Sequence, residues 1–318
     1  MSQDWRPTAD RRALRRRARV LQQIRHFFDQ RDVLEVDTPA LSAGATPDPH
    51  IDSLRTASGQ FLHTSPEFPM KRLLAAGSGS IYQICKVFRD GEAGRLHNPE
   101  FTLLEWYRVG LDHHALMDEM EALFSALFEA ESRAVRFERM TYREAFRRHA
   151  GLDPFEAAND ELCRVARRAG IDLADPDDLE RDDWLDLLMS EVVSRAFDPG
   201  ALTFIHDYPA SQASLARIRP GSPPVAERFE LYFGALELAN GFHELDDAAE
   251  QRRRFEKDLA DRGEAGKERV PLDERFLEAL EAGLPACAGV AVGLDRLLMA
   301  LSGATSIEQV MAFPVDRA

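Results

Sequence analysis

The run "EFTLLEWYRV" at residues 100–109 restricts the possible folds more than any other stretch. Side chains alternate along an extended chain, so Phe101, Leu103, Glu105 and Tyr107 share one face and Thr102, Leu104, Trp106 and Arg108 the other. Both faces are largely apolar, which places such a strand inside a protein. Yet Glu105 lies between two aromatic rings, and a buried carboxylate needs a partner.

The flanking segments suggest what surrounds that strand. Residues 10–30 read as an amphipathic helix capped by Asp10, with Leu14, Ala18, Leu21 and Phe28 at helical spacing. "VLEVDTPAL" reads as a strand ending at Pro39, residues 40–60 as loop, "SGQFLHTS" as a short strand and "PEFPMKRLLAAG" as a helix closed by Gly77. "SIYQICKVFRD" and "EFTLLEWYRV" form an antiparallel pair in this reading. Residues 112–130 are helical, and 142–198 read as a mostly helical, acidic insert with "DPDDLERDD" as a surface loop. Then come a strand at "ALTFIHDYP", a long strand with a turn at "RFELYFGALELANGFHEL", helices at 246–261 and 272–282, and "CAGVAVGLDRLLMALSG" as a strand entering a helix. Strands and helices do not alternate regularly, so the expectation is α+β, an antiparallel sheet flanked by helices. The 318 residues are read as one catalytic domain, 1–318, carrying the insert.

The net charge of −15 argues against a generic nucleic-acid surface. The opening "MSQDWRPTAD" has no apolar signal region, and no apolar run is long enough to span a bilayer, so no membrane is expected and the cytoplasm is the simplest location. Cys85, Cys163 and Cys287 lie far apart with no CxxC. Against the acidic background, "RRALRRRARVLQQIR" is strongly basic. It is either a solvated helix face or a docking patch for an acidic partner.

Three constellations could carry chemistry. In "ELANGFHEL" the Asn240-Gly241 pair predicts a hairpin turn. Glu237 would then face Glu244, and Leu238 would face His243. Opposed carboxylates are unfavourable without a cation between them, and Mg²⁺ suits such oxygen ligands; with a longer turn both acids would simply be solvated. In "GVAVGLDRLLM", Gly289, Ala291 and Gly293 leave one strand face nearly bare, as close approach of a ligand or another backbone requires. Arg296 follows in the first helical turn, where a cation opposes the helix dipole and asks for an anion; close packing with an exposed arginine is the alternative. Arg89, with Arg95 and His97 in the following loop, could grip a phosphate. His113 and His114 read as surface residues, and His63 and His206 as ordinary polar ones.

Together these segments resemble the catalytic domain of class II aminoacyl-tRNA synthetases, and within it the lysyl branch. "FFDQRDVLEVDTPAL" is similar to motif 1, "VFRDGEAGRLHNPEFTLLEWYR" to motif 2 and "GVAVGLDRLLM" to motif 3. "TSPE", "ASQASLA", "ELANGFHEL" and the terminal "VDRA" resemble the stand-alone members of that branch that join β-lysine to elongation factor P. Only about ten residues precede the motif 1 helix, so no anticodon-binding OB domain is expected. Ala291 stands where lysyl-tRNA synthetases usually have Gly. Motif 2 departs from its usual Arg-x-Glu, reading Arg89-Asp90-Gly91 with Glu92 one place later.

The resemblance implies roles. Arg89 would hold the α-phosphate of ATP, and Asn98 would contact the nucleotide. Phe101 would stack on adenine with Arg296 on its other face. Leu238 and Gly293 would line the nucleotide, and Glu237 and Glu244 would hold Mg²⁺. Ser65, Pro66, Glu67, Tyr107, Glu244 and Ala291 would surround a lysine-like amino acid, and Glu105 would face its side-chain ammonium. The implied reaction is adenylation of that amino acid, (R)-β-lysine in this branch, and its transfer to a lysine ε-amine of elongation factor P by a homodimer, with no tRNA. A tRNA-charging enzyme or a non-catalytic regulatory module are the competing expectations.

Overall fold

The computed structural model describes residues 5–173 and 179–318. The chain divides into two compact units, one built from the residues up to Ser132 together with Glu244–Ala318, the other from Arg133–His243. The first unit opens with α1 (Arg11–Asp29), β1 (Leu34–Glu35), β2 (Leu41–Ser42), β3 (Phe61–Leu62), α2 (Glu67–Ala75), β4 (Ile81–Phe88), β5 (Glu100–Val109) and α3 (His113–Ala130). The second carries β6 (Arg136–Thr141), α4 (Tyr142–His149), α5 (Asn159–Arg168), α6 (Arg181–Leu188), β7 (Ala201–Pro209), β8 (Ile218–Arg219), β9 (Val225–Phe233) and β10 (Leu236–His243). The chain then returns to the first with α7 (Ala248–Glu264), α8 (Glu274–Gly283), β11 (Cys287–Gly293) and α9 (Leu294–Ser302).

In the first unit β5 is central, antiparallel to β4 on one side and to β11 on the other. All its side chains from Thr102 to Tyr107 are buried, which explains why both faces are apolar. Phe28 of α1 stacks on Tyr82 (4.5 Å between ring centroids) and meets Trp106 edge-on (5.3 Å), covering one face. Asp10 caps α1 as expected, accepting from the Ala13 N–H at 2.7 Å. The inward stripe of α1 differs from the expected one: Arg16, Val20, Ile24, Phe27 and Phe28 are buried, whereas Leu14 and Ala18 are exposed. Arg16 can join that stripe because its Nε donates to Glu131 at 2.9 Å. The basic helix is thus partly internal, and Arg11, Arg12, Arg15, Arg19 and Arg25 are its exposed arginines. "VLEVDTPAL" gives only the two-residue β1, paired parallel to β4, rather than a full strand. His113, expected at the surface, is buried, because the first turn of α3 faces inward.

In the second unit the ladder runs β10–β9–β7–β6, antiparallel except for the parallel β6–β7 pair. Its core gathers Tyr142, Phe146, Leu162, Trp184 and Leu188 from α4–α6 against Ile205 and Tyr208 of β7. The expected insert over 142–198 therefore belongs to a larger unit that begins with a strand the pattern did not reveal, "RFERMT". Residues 175–178 of the expected acidic loop lie outside the described residues, and Arg181–Asp183 open α6 instead of continuing a loop.

The expected Asn240-Gly241 hairpin is not there. β9 and β10 are joined through Gly234 and Ala235, with Gly234 at φ +53° and Phe233 paired with Leu236. Asn240 and Gly241 lie inside β10, opposite Glu230 and Phe229. The alternation of "LANGFH" continues the ladder, and Gly234 supplies the left-handed backbone that a tight turn needs. Glu237 and Glu244 are therefore not cross-strand partners. A bulge at Leu238 shifts the register: Glu237 pairs with Tyr232, and Ala239 with Leu231. The α+β class stands, with a parallel pair at one edge of each unit's otherwise antiparallel ladder.

Candidate active site

Glu105 answers the question its sequence posed. It is 2 % exposed and accepts hydrogen bonds from the Ser65 hydroxyl (2.7 Å) and the Tyr107 hydroxyl (2.7 Å). Both donors are neutral, so they satisfy the carboxylate's geometry without cancelling its charge. Burial first, and Glu67 next, push its pKa up to about 7. Ser65 is itself held by accepting from the Glu67 N–H at 3.0 Å, where "TSPE" leads into α2.

Two further carboxylates converge there. Glu67 lies in the first turn of α2, and Lys71, one helical turn on, brings its ammonium within 2.6 Å of Glu67 Oε1 and 2.6 Å of Glu244 Oε2. Lys71 and Glu244 are each 1 % exposed. Burial raises Glu244 to about 8, against the pull of Lys71. Lys71, flanked by two carboxylates, is pushed above its ordinary value despite its burial and keeps its proton. Three acids share one cation, so it is the carboxylates that compete for protons. Sequence reasoning had not singled out Lys71; the signal was the Glu67-x-x-x-Lys71 spacing directly after Ser65-Pro66.

The bare face of β11 lies across from this cluster. Gly289 pairs with Tyr107, Ala291 with Glu105 and Gly293 with Leu103. A Cβ on Gly289 would come within 2.3 Å of the Tyr107 ring and 2.5 Å of Glu244 Oε1. The glycine is thus required by the side chains laid over it. Ala291, which pairs with Glu105, is half-buried and sets its methyl on the same face.

The expected phosphate-binding residues form a second group in the same unit. The Arg89 guanidinium lies 5.2 Å from the Phe101 ring centroid and 3.6 Å from Glu92. Arg296 approaches His97 Nε2 at 2.6 Å. Burial and then Arg296, with a smaller contribution from Arg89, hold His97 below the usual imidazole range, so both arginines bear on one imidazole. Asn98 is buried and engaged: it donates to the Glu100 carbonyl (2.6 Å) and accepts from the Val315 N–H (2.9 Å). Asp295, next to Arg296, is buried, accepts from the Thr102 N–H at 2.8 Å and pairs with Arg17 of α1. One aspartate therefore ties α1 to the segments similar to motifs 2 and 3.

The expected magnesium ligands fit unevenly. Glu244 already carries Lys71 and is closed off from solvent, so it does not suit a second cation. Glu237 is partly exposed. Glu230, on the same face of the β9–β10 ladder, is saturated by Tyr208 (2.7 Å), Tyr232 and Arg228 (2.5 Å). Among the described residues of that face, Glu237 is a solvent-reached carboxylate, a hard oxygen donor of the kind that suits Mg²⁺.

A family model of class II tRNA synthetases (D, K and N) matches residues 2–317. The chain belongs to this class II synthetase family. Among similar members, "Elongation factor P--(R)-beta-lysine ligase" of Vibrio cholerae is 52 % identical over 99 % of both chains. The protein of that name from Vibrio vulnificus is also 52 % identical over 99 % of both. The one from Edwardsiella ictaluri is 46 % identical over 99 % of this chain and 98 % of its own. As a class II synthetase, the chain supplies the acidic cluster and the Arg89–Phe101–Arg296 group from the motif segments of one unit. Among the described residues no helix is long and apolar enough to cross a membrane.

Proposed function

We propose that this protein is an ATP-dependent, AMP-forming ligase. It activates a lysine-like amino acid, (R)-β-lysine in this reading, and joins it to the ε-amine of a lysine on elongation factor P. Similarity to ligases of that name over nearly the full chain supports the substrates. The observation that carries the reading is Glu105, a buried carboxylate held by two neutral hydroxyls and lacking charge compensation from either. An ammonium group supplies it. Ser65, Pro66, Glu67, Tyr107, Glu244 and Ala291 enclose the rest of the amino acid.

The two compact units together make one catalytic domain in this reading. Arg89 neutralises the α-phosphate as the substrate carboxylate attacks in line and pyrophosphate leaves. Phe101 stacks on adenine, and Arg296 faces its other side and the terminal phosphates. Leu238 and Gly293 line the nucleotide, and Asn98 shapes its surroundings through its two backbone links. Glu237 would meet Mg²⁺, whose chemistry is charge neutralisation on the phosphates. Positioning and electrostatics then account for catalysis, with no protein nucleophile. The acceptor amine attacks the mixed anhydride in a second step. Exposed Leu34 and Leu41, in the motif 1-like segment, support a homodimer formed through that segment.

The test is ATP–pyrophosphate exchange with α-lysine, (R)-β-lysine and (S)-β-lysine in parallel, followed by mass spectrometry of elongation factor P. Exchange favouring (R)-β-lysine and a mass increase on the factor are expected. Charging of tRNA with no change in the factor, or no ATP consumption at all, rules the reading out.

A further inference from the structure

Lys71 is the one charged group in the acidic cluster to which the functional reading gives no task. A lysine 1 % exposed would lose its proton unless paired. Here two carboxylates hold it at 2.6 Å each, one from its own helix and one from the segment before α7. Glu105 has no such neighbour within ion-pair distance; its donors are hydroxyls. Counting Glu67, Glu105 and Glu244 as three negative charges and Lys71 as one positive leaves two negative charges. A diamino acid presents two ammonium groups, once its carboxylate is directed to ATP.

We propose that Lys71 is a positioning residue of the amino-acid pocket: its buried ammonium aims Glu67 and Glu244 and sets the pocket's net charge to the complement of a diamino acid. The inference rests on the function proposed above. The titratable groups facing Lys71 are Glu67 on its own helix, Glu244 and, further off, Glu105 on β5; Tyr107 and Cys85 bear on Glu105. From α8 the Phe276 ring lies 5.8 Å from Nζ.

Lys71→Met tests this, with the KM for the lysine-like amino acid measured from pH 6 to 9. At pH 7 that KM is expected to rise at least about tenfold and to recover towards pH 9, its midpoint moving up by about one pH unit or more. The KM for ATP stays within about twofold, and Lys71→Arg restores most of the loss. A folded Lys71→Met protein with an unmoved midpoint overturns the proposal. A second arm needs no activity: thermal unfolding of the ligand-free proteins across the same range. Stability of Lys71→Met should keep falling to higher pH than that of the unaltered protein, because its carboxylates hold protons longer; coincident profiles also overturn the proposal. If the single variant does not fold, Lys71→Met/Glu67→Gln restores the charge count and should fold; failure of both overturns it. Absence of amino-acid-dependent exchange by the unaltered protein defeats the proposed function instead, and the unfolding arm still decides on Lys71.

Discussion

Ala291 stands directly opposite Glu105 in the antiparallel β5–β11 ladder, its methyl on the face of that buried carboxylate. Ala291→Gly should open that side of the pocket. In the proposed function this shifts the ratio of kcat/KM for α-lysine over (R)-β-lysine upward by about tenfold, the scale on which one methyl discriminates in a pocket. Exchange assays with both isomers measure it. An unchanged ratio would separate Ala291 from substrate choice.

Glu105→Gln keeps the shape and removes the charge. The KM for the lysine-like amino acid should rise roughly 10- to 100-fold, as expected for losing a charge-assisted hydrogen bond. The KM for ATP should change by less than about twofold. Equal effects on both substrates would contradict the separation of the acidic cluster from the arginine group.

The raised carboxylates also make the pocket pH-sensitive. An ammonium prefers ionised Glu105 and Glu244, whose values are near 7 and 8, so the amino-acid KM should fall as pH rises from 6 to 8.5. Stability runs the other way. Both groups bind protons more tightly folded than unfolded, so their contribution is fully present below the ordinary carboxylate value and is lost as pH climbs through about 7 to 8. Thermal unfolding of ligand-free protein across that window checks the sign, and Glu105→Gln should flatten it.

Gly289→Ala forces a methyl to 2.3 Å from the Tyr107 ring. The ring or the strand must move, at a cost of about 1–3 kcal/mol. Tyr107 is also a donor to Glu105, so amino-acid activation should fall along with the melting temperature. Calorimetry and pyrophosphate exchange read the two effects separately.

Asp295→Asn breaks a buried ion pair with Arg17. A loss of about 3–5 kcal/mol is expected from leaving such a pair half-made, measured by denaturant unfolding. Because Arg296 is the next residue, exchange activity should drop in the protein that remains folded.

Much of this was legible in the sequence where local chemistry decided the outcome. Asp10 caps the helix it precedes, β7 matches "ALTFIHDYP", and the burial of β5 follows from its two apolar faces. The failures came where two local signals competed or where a distant residue intervened. Asn240-Gly241 is a strong turn signal, but Gly234 took the turn and the apolar alternation carried β10 through. The inward face of α1 depended on Glu131, more than a hundred residues away, which lets Arg16 be buried. Lys71 was overlooked because its partner Glu244 is far off in sequence. Alternation singles out Glu105, and local pattern Arg89 and Arg296; the motif resemblance gives them a common site, long-range information that periodicity lacks.

The interruption of the first unit by the second has a consequence for synthesis. Thr102 and Asp295 are bonded across 193 residues of sequence, and β5 cannot gain its β11 neighbour until the end of the chain is made. Arg133–His243 is contiguous and can fold as soon as it emerges. During that interval β5, with Glu105 at its centre, has its β4 neighbour and the cover of α1 but lacks its β11 edge. A carboxylate there keeps the strand charged and hydrated while it waits, and it becomes a buried group only when Gly289 and Glu244 arrive.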